Sequence, residues 1–220
     1  MLYTLQQVKD NIRNREGKRV FYLGKADQLT SEAKDFLTRE RIEILPGQMA
    51  KKDRYRLLSG GYMEEKPEHM THLNAEFLVE KTHPRIVFRG AVDLLEAELL
   101  LTMGQLPHWQ KELTEVLALA RQLIAGDVLE QPVQAGTLGG LDEGQLRSRS
   151  HFPQEHYGLP HFMPQPADKK EVLLLNRLRS LTRQTEVKAV AAFPDRTDII
   201  RALNRMSSFL YILMLREKSK

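Results

Sequence analysis

The 220-residue sequence has no cysteine and a single tryptophan, and aromatic residues make up only 7% of it. Without a thiol there is no disulfide framework, no thiolate metal site and no cysteine nucleophile, and the cytoplasm is the natural compartment. Long apolar runs are lacking too: the longest, Phe209 to Leu215, falls far short of the roughly 20 residues that span a bilayer. The amino-terminal MLYTLQQVKDNIRNREGKR breaks its apolar residues with charge every few positions, so neither export nor membrane insertion is expected. Nor does one sign of charge dominate. Lys and Arg total 33 against 29 Asp and Glu, a net charge of +4, which argues against a nucleic-acid partner and leaves small anionic ligands open. What is present, 41% hydrophobic and 28% charged residues, is the balance of a folded globular chain.

The first 47 residues predict a small α/β domain, with a helix near Leu5–Arg13, a strand Arg19–Leu23, a helix Ser31–Arg39 capped by Thr30, and a strand Arg41–Leu45. Residues 48–68, with charge, Gly60–Gly61 and Pro67 but little periodicity, predict a linker, and 69–220 a helical-bundle domain. Within it, apolar residues recur at three-to-four spacing from Gly90 (Val92, Leu95, Leu99, Leu106), over Leu113–Ile124, and again over 169–193 and 197–216. The second and third of these helices are joined by roughly 40 residues rich in Gly, Pro and His, a length that usually binds or covers something. A short helix near Asp142–Arg149 is expected inside that loop.

Motif searches mostly exclude. Gly24–Lys25 lacks both the earlier glycine and the following Ser or Thr of a phosphate loop, and the glycines of 136–144 do not have dinucleotide spacing. His151, His156 and His161 recur every five residues, a spacing that aligns no helical face, so no protein-bound metal is expected. Asn176, Arg179, Arg183 and Glu186, at intervals of three, four and three, form one polar stripe on the third bundle helix. Such a stripe is a solvated face or a binding face. Asn204 and Arg205 precede an apolar run, and a buried amide there needs a partner.

Three segments carry a family resemblance: HPRIVFRGAVDLLEAEL (83–99), LRSLTRQTEVKAV (178–190) and ALNRMSSFLYILMLR (202–216). Together they resemble the PduO and EutT cobalamin adenosyltransferases, the last through its likeness to that superfamily's "LNRLSD" helix. KPEHMTHLNAEFLVEK (66–81), RSRSHFPQEHYGLPHFMP (147–164) and the amino-terminal LTSEAKDFL region resemble the ethanolamine-utilisation branch. The resemblance implies a mostly α, PduO-like bundle that assembles into a homo-oligomer, commonly a trimer with a dimer as the alternative. ATP and the corrinoid then meet at subunit interfaces. It implies transfer of the 5′-deoxyadenosyl group of ATP to Co(I) of cobalamin, with Mg²⁺, in supply of an ethanolamine ammonia-lyase. The place implied is the cytoplasm, inside or beside a bacterial microcompartment and its proteins.

By the same resemblance, Arg183 and Asp93 pair as the catalytic unit, and Arg183, Glu186, Asn204 and Arg205 contact ATP. The glycine-rich nucleotide loop of the PduO branch is replaced here by MTHLNAEFLVEK, so Thr71, His72, Lys81 and Arg85 are the candidates for the triphosphate. Phe152, Tyr157 and Phe162 are the candidates for an apolar corrinoid wall. The cysteine-containing metal motif of some ethanolamine-branch enzymes has no counterpart, which again leaves no metal ligands. The competing reading is a non-catalytic helical interaction or scaffold protein of the same metabolic system.

Overall fold

A computed structural model describes residues 1–15, 17–47, 55–134 and 136–220. It resolves into two units, Met1–His83 and Pro84–Lys220.

The first unit opens with β1 (Leu2–Tyr3), α1 (Leu5–Asp10), β2 (Arg13–Arg15) and β3 (Lys18–Leu23). It continues with β4 (Gln28–Leu29), α2 (Ser31–Arg39), β5 (Glu43–Pro46), β6 (Tyr55–Leu57), β7 (Tyr62–Met63), β8 (Met70–His72) and β9 (Phe77–Glu80). Strands β3 and β5 run parallel and α2 crosses between them, the expected βαβ element, with the Thr30 hydroxyl accepting from the Ala33 amide as the helix cap. Val8, Phe21, Ala33 and Leu37 form its core.

The boundary is not where the sequence pattern places it. Residues 48–54 of the expected linker lie outside the described residues. Residues 55–57 and 62–63 are strands, and 70–80, assigned above to the bundle, complete the same seven-stranded sheet in the order β5-β3-β2-β7-β6-β9-β8. Strands of two to four residues are too short to display a period of two, and their turns read as linker. Gly60 and Gly61 adopt φ of +94° and +84° in one turn, and the Asn74 side chain accepts from the Glu76 and Phe77 amides in the other. Likewise α1 stops at Asp10, because Arg13 already pairs with Val20 in the sheet.

The second unit contains α3 (Pro84–Gln105), a 3-10 turn (Pro107–Trp109), α4 (Gln110–Val128), α5 (Glu143–His151), α6 (Pro153–Tyr157), α7 (Lys170–Ala192) and α8 (Thr197–Lys218). Helix α3 begins at Pro84, earlier than the periodicity shows, with proline in a first-turn position that needs no amide donor. Phe88, Val92, Leu95 and Leu99 of α3 meet Leu113, Val116 and Leu123 of α4 and Ile199, Leu203, Met206 and Leu210 of α8 in one core. Each fully buried leucine there contributes about 1.5–3 kcal/mol. Helix α7 packs between α3 and α8, and α5 and α6 lie on α8. The long loop is drawn onto α8 at Gly139, where a Cβ would stand 2.6 Å from the Phe209 ring and φ is +59°. Among the described residues no helix is long and apolar enough to cross a membrane.

One end of the bundle is tied by charge. Asp127, fully buried on α4, accepts from Arg85 Nε at 2.6 Å and Arg89 Nε at 2.5 Å, both on α3. Beside it Arg196 forks onto Asp198 and reaches the Gln131 carbonyl, while Asp198 accepts the Val133 amide at 2.8 Å. The Arg196 hydrogen bonds, joined by the Val133 and Ile199 amides and only partly opposed by burial, hold the Asp198 carboxyl far below the ordinary carboxylate range. A carboxyl depressed in the folded state stabilises above its unfolded pKa of about 4, and the contribution fades as pH falls below that. Thermal melts from pH 6 down to pH 2 should therefore show Asp198→Asn losing less stability on acidification than the wild type; parallel acid limbs would refute this assignment.

Candidate active site

Helices α7 and α8 and residues 150–164 line an open cavity of about 530 Å³. The 3-4-3 stripe of α7 faces it with Asn176, Arg179 and Arg183, and α8 contributes Ser207, Tyr211 and Met214. The loop arrives in register because Asp142 caps α5 in a reciprocal capping box with Gln145, Pro153 opens α6, and Gly158 at φ +66° ends it. His161 is then held by both ring nitrogens. Nε2 lies 3.0 Å from the His151 carbonyl, which only accepts, so Nε2 bears the hydrogen and the Nδ1 of a neutral ring accepts from the Tyr211 hydroxyl at 3.2 Å. Phe162 also stacks on Tyr211 with centroids 5.9 Å apart, beneath the Lys218 ammonium.

Among the described residues two arginines and two histidines line this cavity and no Asp or Glu does. Arg179 sends Nε and Nη2 to the Asn176 side-chain oxygen at 3.2 and 3.0 Å. Burial, then repulsion from Arg183, lowers its pKa from the usual guanidinium value. Arg183 is exposed and makes no ion pair or hydrogen bond among the described residues. It also borders a shallow surface depression of about 390 Å³ with Glu186, Val187 and Val190, where Glu186 accepts from Asn204 of α8 at 3.3 Å. Arg183 thus belongs to both concavities.

The sequence profile of the Cobalamin adenosyltransferase family matches residues 61–217. The chain belongs to that family. It is 32% identical over 163 residues to the corrinoid adenosyltransferase EutT of Salmonella typhimurium, covering 71% of this chain and 61% of that protein, and the figures for the Escherichia coli EutT are the same. The chain therefore spans about three fifths of the length of these curated relatives. Among solved structures, a variant PduO-type ATP:co(I)rrinoid adenosyltransferase from Lactobacillus reuteri complexed with ATP superposes with a TM-score of 0.51 at 18% identity, covering 68% of this chain and 89% of that one. A likeness at that identity establishes the fold.

In this member of the cobalamin adenosyltransferase family the structure sorts the expected site residues unevenly. Arg183, Glu186, Asn204 and Phe162 gather at the two concavities. Asp93 and Arg183 do not pair within the chain: both are exposed, on the outward faces of α3 and α7, because Val92 and Leu95, and Thr182 and Thr185, are the residues turned to the core. Arg85 is not free for a triphosphate, since Asp127 and the Asp127 carbonyl hold it. Arg205 reaches Glu143 at the start of α5 at 2.8 Å and lines a separate cavity of about 230 Å³ beside Arg201 and Asp198.

Thr71, His72 and Lys81 belong to the first unit: Thr71 stands opposite Val79 and His72 opposite Leu78 in the sheet, and the Lys81 amide donates to the His69 carbonyl. Of the other loop aromatics, Phe152 is 55% exposed and Tyr157 packs on the bundle core with its hydroxyl buried and unpartnered, so Phe162 alone of the three lines the cavity. Among the described residues no group of three or more His, Cys, Asp or Glu side chains is placed to hold a metal ion. Pattern reading missed Tyr211 and Met214, hidden in an apolar run. Their signal was the spacing of Ser207, Tyr211 and Met214 at four and three residues, which puts a hydroxyl-bearing face on an otherwise buried helix.

Proposed function

We propose that this chain transfers the 5′-deoxyadenosyl group of ATP to Co(I) of cobalamin, a reading supported by relatives that are corrinoid adenosyltransferases, in supply of an ethanolamine ammonia-lyase in the cytoplasm or an associated microcompartment. The observation that carries this reading is the double position of Arg183: a cavity of about 530 Å³ with Phe162 and Met214 in its wall lies on one side, and a depression of about 390 Å³ with a carboxylate and an amide on the other. The corrinoid takes the first and ATP the second, with the reacting carbon between them.

Co(I) is itself the nucleophile, so no general base or covalent nucleophile is required of the protein. Attack at C5′ forms the cobalt–carbon bond as the C5′–O bond breaks, and the electron pair leaves with the triphosphate. Arg183 stabilises that developing charge, and its planar fork suits two phosphate oxygens at once. Mg²⁺ bound to the triphosphate would add Lewis-acid neutralisation of the same charge, and Glu186, with Asn204 beside it, is the carboxylate in the depression able to share it. Phe162 and Met214 exclude water and a lower axial ligand from the cobalt.

The depression is open and includes two exposed apolar residues, Val187 and Val190 at 70% and 52%, and α3, which packs on α7, exposes Leu94 and Leu101 at 48% and 60%. These residues support a homo-oligomer, a trimer by the family pattern, in which a second copy closes the nucleotide site. The test is spectroscopic. Folded protein with ATP, Mg²⁺ and chemically reduced cobalamin should yield light-sensitive adenosylcobalamin and, by light scattering, the mass of an oligomer. No product above the protein-free rate would reject the activity and leave a scaffold role.

A further inference from the structure

Part of the cavity wall is held in place from the last turn of α8. Residues 161–164 supply that part, and they belong to the arm, residues 161–168, by which the long loop returns to α7. No side chain from His161 to Glu171 is buried, and Phe162 is the one that packs against the bundle core. Apolar packing therefore fixes the arm at a single side chain, and the rest of it depends on polar contacts.

Among the described residues, the arm's hydrogen bonds to the rest of the chain run to three positions. His161 Nε2 meets the His151 carbonyl, and on α8 the Tyr211 hydroxyl donates to His161 Nδ1 and accepts the Phe162 amide at 3.4 Å. About two turns further along α8, Lys218 Nζ donates to Asp168 Oδ1 and stands 4.6 Å from the centroid of the Phe162 ring. Lys218 thus holds both ends of the arm. At the far end Asp168 closes a turn, accepting the Gln165 amide at 2.7 Å and returning its own amide to the Gln165 carbonyl. The hydrogen bonds from Lys218 and then from the Gln165 amide hold the Asp168 carboxyl below the ordinary carboxylate range.

A partly exposed ion pair of this kind adds little to the stability of a whole domain. What it can decide is local, the place of a segment that has no buried side chain of its own. We propose that Lys218 is a positioning residue for corrinoid binding: through Phe162 and Asp168 it pins the return arm to α8 and so sets the wall that excludes a lower axial ligand from the cobalt. The identity of the ligand rests on the activity proposed above. Lys218 does not line the cavity and acts on the substrate only through Phe162. Its side chain suits the task, because a long apolar stem can lie along the ring while the ammonium attracts both the ring face and a carboxylate.

The test is titration of cob(II)alamin into the full chain with ATP present, followed by electron paramagnetic resonance, which shows whether cobalt(II) keeps a lower nitrogen ligand. Lys218→Met retains the stem and loses the charge. It should raise the Kd for cob(II)alamin roughly three- to tenfold and increase the share of bound cobalt that keeps its lower ligand, with ATP affinity and Tm close to wild type. Lys218→Arg can both pair with Asp168 and lie on the Phe162 ring, so it should behave as wild type. Asp168→Asn should reproduce most of the Lys218→Met effect, and the double variant should be no worse than Lys218→Met alone.

Cobalamin affinity and a cobalt spectrum unchanged in Lys218→Met would overturn the positioning role. So would a clear drop in Tm with equal losses of cobalamin and ATP affinity, which marks a general structural residue. None of these measurements requires turnover. A wild type that makes adenosylcobalamin while Lys218→Met binds normally loses only the role of Lys218, whereas a wild type that makes none loses the proposed activity.

Discussion

Arg183→Ala should lower kcat/KM for adenosyl transfer by at least ~100-fold, the usual consequence of deleting one preorganised donor from a site where charge develops. Arg183→Lys keeps the charge but not the fork, so it should recover only part of the loss. Asp93→Asn should cost less, because it loosens the arginine without removing it. Since Asp93 and Arg183 make no ion pair within one chain and both are exposed, their cooperation requires a second copy to bring them together. Two results would establish this.

In a double-mutant cycle the combined loss should fall well short of the sum of the single losses. Mixing and reassembling Arg183→Ala chains with Asp93→Asn chains should restore activity, because about a quarter of randomly formed interfaces then combine a wild-type arginine with a wild-type aspartate. Strict additivity together with no rescue on mixing would place the two residues in unrelated roles.

The other large effect concerns stability. Asp127 is fully buried, while Arg85 and Arg89 keep only 18% and 19% of their side-chain surface in water. Asp127→Ala therefore removes the carboxylate shared by two largely desolvated guanidiniums, although Arg85 keeps its ion pair with Glu130 at 3.5 Å. Removing one partner of such a cluster costs about 3–5 kcal/mol, a large share of a typical domain stability. The lower end is expected here because the arginines retain some hydration. Urea titration should show a lower midpoint at an unchanged slope. Replacing all three residues with apolar ones of similar volume, Asp127→Leu with Arg85→Met and Arg89→Met, should regain most of the loss. A single-variant cost under about 1 kcal/mol would show that the clamp is solvated in solution.

The sequence by itself determined a good deal. Thr30 before SEAKDFLTR, the leucines of α3 and α4, and the polar 3-4-3 stripe on α7 each state a local preference, which tertiary packing then only had to respect. The βαβ element, the long bundle helices, the short helix α5 and the family were legible on those grounds. So was the face of α7 that carries Arg179, Arg183 and Glu186, because a helix fixes which residues share a side.

The tertiary structure alone decided what depends on partners distant in sequence. Strands as short as β7 and β8 exist because neighbouring strands satisfy their backbone groups, so the boundary at His83 has no local mark. Arg85 looked like a phosphate ligand until Asp127, 42 residues away, was found to hold it. That Arg179 and Arg183 share a cavity lined by no carboxylate among the described residues could be seen only once α7, α8 and the loop had been brought together. Charge compensation is set by distances between side chains, and one strand of sequence records none of those distances.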